Sequence, residues 1–272
     1  MTWLDALILG IVQGLAEYLP ISSSGHLEIF RDILGLQLSG ADALEFDVAL
    51  HVATVLSTIV VLWREFLPLC VSFLTFRRDD NFYYVCKILL SCIPVAIVGL
   101  CFKDFVESFF GGGLTVVGIC LLVTAALLSF AYYFRNPERE ARHKETGRDI
   151  TWLDAFIIGC AQAVAVLPGL SRSGTTIATG LLLGDKRAKM AQFSFFMVII
   201  PILGEALLGV KDIVTGDGGA MAVGALPLAV GFFASFIVGC MACKWMIEIV
   251  KKGKLIWFAA YCLAAGILCI VW

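Results

Sequence analysis

Two short polar clusters interrupt an otherwise apolar chain of 272 residues, and their residue types are those of acid–base and anion-binding chemistry. The first holds Glu17, Ser22, Ser23, Ser24, Gly25 and His26; the second holds Ser171, Arg172, Ser173, Gly174, Thr175 and Thr176. A serine hydroxyl near an imidazole, with a carboxylate to orient it, is a nucleophile–base–orienter arrangement. Histidine alone can also attack phosphorus or protonate a leaving group, and the spacing leaves these roles open. Glu17 ends an apolar segment, so its carboxylate must face a cavity, pair with a cation or be protonated. Gln13, four residues earlier, shares its helical face. Together they offer a base or metal ligand beside a neutral amide that orients substrate. A lone arginine between apolar stretches costs about 2.5–3.5 kcal/mol on insertion scales, so Arg172 needs a partner or a task. Hydroxyls, glycine-exposed amides and a guanidinium make an anion cradle, and the arginine fork suits phosphate. A helix starting just after this loop would add its N-terminal N–H groups. No Walker A sequence is present. The plainer readings are an Arg172–Glu17 pair that only pins two segments together and a Gln13–Glu17 hydrogen bond.

The elements that must position these clusters are duplicated. Thr2, Trp3, Leu4, Asp5, Ala6, Ile8, Gly10, Gln13, Ala16, Ser22, Ser24 and Gly25 recur in the same order from Thr151 to Gly174, without a gap. Each copy is expected to be a re-entrant hairpin, over 3–34 and 152–184. Each begins with a helix capped by its threonine, with Asp5 or Asp154 completing a capping box. Each breaks near Pro20 or Pro168, which cannot continue the ladder. Broken helices at membrane depth persist only where protein or a wet cavity satisfies the freed groups.

The composition, 60% hydrophobic and 15% charged, is that of a membrane protein rather than a soluble domain. Spanning segments are read over 46–63, 82–101, 114–134, 190–210, 221–244 and 255–272. Threading these six places all but Arg31, Lys103, Lys211 and Arg172 of the 20 Lys and Arg on one side, the cytoplasm by the positive-inside rule. Three spans separate the hairpins, and an odd number inverts topology. The expectation is therefore an all-α polytopic membrane protein with an inverted-topology repeat: six transmembrane helices plus two re-entrant helical hairpins, both termini outside. The halves divide as 1–134 and 151–272, joined by a cytoplasmic loop over 135–150, within one membrane domain over 1–272.

The rest of the chain is plainer. Ten cysteines scattered through apolar stretches read as small core residues, Cys240 and Cys243 included. His51 and Asp47, one helical turn apart, either shape the outer mouth of the site or face water as a helix-end pair. His143 lies in a sign-mixed connector, and Lys251, Lys252 and Lys254 are explained by topology. The N-terminus lacks the basic region of a signal peptide.

At these residues the chain resembles the bacitracin-resistance type of undecaprenyl-diphosphate phosphatase. The family's (E/Q)GxxE segment is matched by Gln13 to Glu17, its PxSSxGH stretch by Pro20 to His26, and its PGxSRSxxT signature by Pro168 to Thr176. The FxVxxxxxxxLxxxxxxW stretch beginning at Phe46 also matches, and the motifs occur in order over nearly the whole chain. The resemblance implies hydrolysis of undecaprenyl diphosphate to the monophosphate and inorganic phosphate on the outer face of the bacterial cytoplasmic membrane. That reaction recycles the lipid carrier of peptidoglycan synthesis and confers bacitracin resistance. It implies Glu17, Ser23, His26 and Arg172 as catalytic. Gln13, Ser22, Ser24, Ser171, Ser173, Gly174, Thr175 and Thr176 would contact substrate phosphate. A divalent cation, Mg²⁺ or Ca²⁺, is implied with Glu17 as its ligand. Many members carry glutamate where this chain has Gln13, which shifts the metal or base role onto Glu17. The expected partners are the polyprenyl diphosphate and membrane lipids, with a homodimer allowed and no nucleic acid. The competing class is a transporter or flippase of an anionic polyprenyl lipid or small anion, whose architecture also uses inverted repeats.

Overall fold

The computed structural model describes residues 1–36, 38, 40–102, 105, 109, 113–135, 147–215 and 223–272. His143, Lys103 and most of the 135–150 connector lie outside the described residues. The fold is all-helical; among the described residues the only β-type pairing is an isolated bridge between Arg148 and Asp185. In the first half the helices are α1 Trp3–Ala16, α2 Ser23–Ile33, α3 Gly40–Val61, α4 Trp63–Leu74, α5 Asp80–Cys101 and α6 Gly113–Phe134. In the second they are α7 Trp152–Val164, α8 Arg172–Leu183, α9 Arg187–Met197, α10 Ile199–Thr215, α11 Ala225–Lys251 and α12 Ile256–Val271.

Among the described residues, five stretches are long and apolar enough to cross a membrane: Asp42–Val61, Asp80–Cys101, Gly113–Phe134, Arg187–Leu208 and Ala225–Lys251. The sixth expected span, at the C-terminus, is a helix of 16 residues, apolar throughout but shorter than the others. The fourth is not one helix. It is interrupted at Val198, where Pro201 removes a ladder donor just past the break. An element absent from the sequence reading is α4. Trp63–Leu74 is helical, with Pro68 inside it, between the end of α3 and the charges Arg77 and Arg78.

Both repeat helices start as their capping residues dictate. Thr2 accepts from Asp5 N while Asp5 accepts from Thr2 N, and Thr151 and Asp154 do the same. α1 ends at Ala16 and α7 at Val164, four residues before Pro20 and Pro168, so the proline caps a tip rather than the helix itself.

The halves pack by exchange. α1 runs parallel to α11, with Gly10 against Gly231 and Gly14 against Ser235. α7 runs parallel to α5, with Trp152 beside Lys87 and Gly159 against Ser91. A Cβ on either Gly10 or Gly159 would lie under 3.0 Å from a facing backbone oxygen. Small residues let the backbones approach this closely, which supports helix packing where lipid replaces water. α6 and α12 pack antiparallel, Gly118 facing Gly266 while Leu128 packs by Ala259. The main core gathers Tyr18, Leu19 and Ile21 of the first tip with Phe193, Phe195 and Met197 of α9 and Met246 and Val250 of α11.

Candidate active site

The two tips touch. A Cβ on Gly25 would lie 2.9 Å from Gly169 Cα, and one on Gly174 would lie 3.1 Å from Pro20 Cβ. Ser173 Oγ donates to the Leu19 carbonyl at 3.2 Å, stitching the second tip onto the first. α6 holds the second tip from behind, with Thr124 Oγ1 accepting from Ser171 N at 3.1 Å.

Each tip delivers the N-terminus of a helix. Ser22 caps α2, accepting from Gly25 N; Ser171 caps α8, accepting from Gly174 N. His26 N and Thr175 N bond the Ser22 and Ser171 carbonyls. Among the described residues this leaves the N–H groups of Ser23, Ser24, Arg172 and Ser173 without a backbone partner. Uncommitted N–H groups at a helix start favour an anion. The turns differ in one respect. In the second tip Gly169 takes the left-handed conformation at φ 87°, whereas in the first it falls on Ser22 at φ 71°. A non-glycine residue held there costs of order 1–3 kcal/mol and persists only where its surroundings fix it. Here the capping bond to Gly25 and the bond to His26 do so.

Glu17 is the hub. Its side chain is 5% exposed and gathers partners from four helices, α1, α2, α3 and α8. Gln13 Nε2 donates to Oε2 at 2.9 Å, and Ser23 Oγ donates to the same oxygen at 2.9 Å. Arg172 pairs with Oε1 through NH2. His51 of α3 brings Nε2 to 3.5 Å from Oε2. The guanidinium remains 24% exposed. It borders a recess of about 300 Å³, counting the part open to solvent, whose polar lining includes Glu17, Ser173 and Ser194. Val55, Val198 and Ile202 form its apolar side.

The structure thus brings Gln13, Glu17, Ser23, Arg172 and Ser173 to one place. Ser24 lies 3.5 Å from Ser22 Oγ, hydroxyl to hydroxyl. Thr176 turns its hydroxyl to Ser194 Oγ at 2.7 Å and to helix carbonyls, and Thr175 Oγ1 is buried without a partner. His26 faces elsewhere. Its Nδ1 donates to the Ser22 carbonyl at 2.7 Å, so Nε2 carries the lone pair and accepts from the Tyr261 hydroxyl at 2.7 Å. The rings stack with centroids 5.6 Å apart. The serine–imidazole contact considered for this cluster is absent; Ser23 meets the carboxylate directly.

Three contributors carried no local signal: Tyr261, Thr124 and Ser194 are lone polar residues in apolar helices, far from either tip in sequence. Asp47, paired in expectation with His51, gives its carboxylate to Arg31 of α2 and only its backbone carbonyl to His51 Nδ1, at 2.7 Å.

The donor set does not build a protein cage for Mg²⁺ or Ca²⁺. Oε2 of Glu17 already accepts from Gln13 and Ser23, Oε1 faces a guanidinium, and the neighbouring position is the amide of Gln13 rather than a second carboxylate. Such ions take six or more oxygen ligands.

A family model described as Bacitracin resistance protein BacA matches residues 6–268. The undecaprenyl-diphosphatase of Bacteroides thetaiotaomicron is 55% identical over 271 residues, covering 100% of this chain and 99% of its own. That of Parabacteroides distasonis is 57% identical, covering 99% of this chain and 98% of its own. The undecaprenyl-diphosphatase of Carboxydothermus hydrogenoformans is 38% identical over 100% of this chain and 97% of its own.

Proposed function

This chain belongs to the bacitracin resistance protein BacA family, and we infer from that membership that it works as its relatives are named, as an undecaprenyl-diphosphatase. It is a multi-pass membrane enzyme. The reaction breaks the phosphoric anhydride of undecaprenyl diphosphate with water, leaving undecaprenyl phosphate and inorganic phosphate. Recycling of that monophosphate for peptidoglycan synthesis is carried over as part of the same reading.

The observation that carries the mechanism is the 2.9 Å bond from Ser23 Oγ to Glu17 Oε2. A nucleophile must give up its proton as it attacks, and the group already accepting it is the base in place. Ser23 Oγ bonds to the terminal phosphorus, Glu17 takes its proton, and the bond to the bridging oxygen breaks so that undecaprenyl phosphate leaves. Water then attacks the phosphorus of the phosphoserine, the P–Oγ bond breaks to release inorganic phosphate, and Ser23 Oγ takes back its proton from Glu17. Charge building on the phosphoryl oxygens is met by Arg172 and by the free N–H groups at the starts of α2 and α8. His26, with its Nε2 held by Tyr261, serves the leaving group or the water rather than Ser23. A divalent cation would offset the negative charge of the diphosphate, Glu17 keeping its role as base. The lipid tail is proposed to leave the recess along Val55, Val198 and Ile202.

The inverted repeat is part of this proposal. α1 starts beside the Ala225 end of α11 and α7 beside the Asp80 end of α5, and threading runs those two helices in opposite directions. At the basic end, Lys186 and Lys189 pair with Asp149, Arg148 pairs with Asp154, and Lys87 Nζ donates to the Ile150 carbonyl. Loops assigned to the cytoplasm are therefore in contact with one another, which supports one cytoplasmic face. The site then opens outward, with both termini outside.

The test is phosphate release from undecaprenyl diphosphate by purified protein in detergent, where no membrane separates two compartments. Wild type releases phosphate, Ser23→Ala loses at least about 10³-fold in kcat, and His26→Ala retains more activity than Ser23→Ala. A Ser23→Ala variant faster than His26→Ala overturns the assignment of Ser23 as nucleophile.

A further inference from the structure

Arg172 carries two duties that conflict. It is the full cation paired with buried Glu17, and it is the cation of the phosphate cradle. A guanidinium that turns its fork to phosphate must withdraw from Glu17 or share with it. A buried carboxylate that loses its cation becomes costly, unless another donor closes in.

One stands ready. His51 Nε2 lies 3.5 Å from Glu17 Oε2, an ion-pair distance longer than a hydrogen bond. Its ring is aimed from behind: Nδ1 lies 2.7 Å from the Asp47 carbonyl, and because a carbonyl oxygen only accepts, Nδ1 holds a hydrogen. The other nitrogen therefore faces the carboxylate, and it attracts that group only when a second hydrogen makes the ring an imidazolium. The aim is braced by Arg31 of α2, which pairs with the Asp47 carboxylate and so links the helix carrying Ser23 to the helix carrying His51. His51 is 17% exposed and belongs to neither hairpin.

We propose that His51 is a positioning residue of the hydrolysis. It takes over the Glu17 carboxylate when substrate phosphate draws Arg172 away, and so keeps Oε2 aimed at the Ser23 hydroxyl. This rests on the reading of Glu17 as the base for Ser23. It also gives α3 a part in the chemistry beyond lining the recess.

The experiment compares His51→Ala and His51→Gln with Glu17→Gln, in purified protein hydrolysing undecaprenyl diphosphate. Glutamine keeps an N–H donor of similar reach. His51→Ala is expected to lower kcat about 10- to 100-fold, as for partners that orient a functional group, with KM within about threefold. His51→Gln is expected to recover to within about fivefold of wild type, and both variants to keep the wild-type unfolding midpoint. The proposal is overturned if His51→Ala keeps wild-type kcat, if His51→Gln is as slow as His51→Ala, or if the loss lies in KM alone. A lowered midpoint with unchanged kcat per folded molecule assigns His51 a structural role and also overturns it. An active Glu17→Gln enzyme defeats the underlying reading of Glu17, whereas an inactive one beside a normal His51→Ala defeats only the present proposal.

Discussion

Glu17 and Arg172 form an ion pair across 155 positions of chain, one from each half of the repeat. In the duplicated segment the position matching Glu17 is Val166, and the position matching Arg172 is Ser23. Each half lacks the charge that the other supplies. The pair therefore exists only when the two tips meet, and it joins the chemistry proposed for one half to the anion cradle proposed for the other.

The close approach of the repeat helices to their partners predicts where substitution destabilises. Gly159→Val drives a side chain into the Ser91 backbone, and Gly10→Val does the same at Gly231. Overpacking of this kind costs about 1–3 kcal/mol. Both variants should unfold several degrees below wild type in a detergent melt. Gly204→Ala on α10, where an added Cβ meets nothing within 4 Å, should melt with wild type. Equal midpoints for all three would refute the packing account.

A second stability prediction concerns Asp185, in the turn between α8 and α9. Both its carboxylate oxygens are buried without a hydrogen-bond partner. Burial, and then the neighbouring Asp154, push its carboxyl up to about 7 against the pull of Arg148, Arg135 and Lys87. The folded state thus holds a proton that the unfolded chain releases near the ordinary value of 3.8. For an acid raised in this way, the stability is fully present below the unfolded value and is lost as pH climbs through about 7. Asp185→Asn should remove that loss, raising the unfolding midpoint at about pH 8 by at least about 2 °C. The gain should shrink toward about pH 4.5. A gain of the same size at both pH values would show that ionisation of Asp185 is not its source.

Much of this site was legible in the chain because its parts sit in short runs. The capping boxes at Thr2 and Thr151, the breaks before Pro20 and Pro168, and the helix starts after Ser22 and Ser171 are all local events, decided by neighbouring residues. The spans followed from hydropathy for the same reason. What was not legible depends on contacts between distant segments. Nothing near His51 distinguishes a residue facing water from one facing Glu17, since only the packing of α3 against the first tip decides it. Tyr261 reads as one more aromatic in an apolar helix, yet its hydroxyl is the partner of the His26 lone pair. The interruption at Val198 had a local signal in Pro201, hidden because the flanking residues are apolar on both sides. The amphipathic α4 was hidden by the charges that bracket it.

The claim that both tips build one catalytic site is tested most directly by phosphate release from undecaprenyl diphosphate by purified Arg172→Ala protein. The loss of a pre-positioned cation should lower kcat at least about 10³-fold, while the detergent melt stays cooperative. Arg172→Lys, which keeps the charge but not the fork, should recover only part of the rate. Turnover of Arg172→Ala within about threefold of wild type would contradict the account, because the second tip would then be scaffolding and the first would hold the phosphate alone.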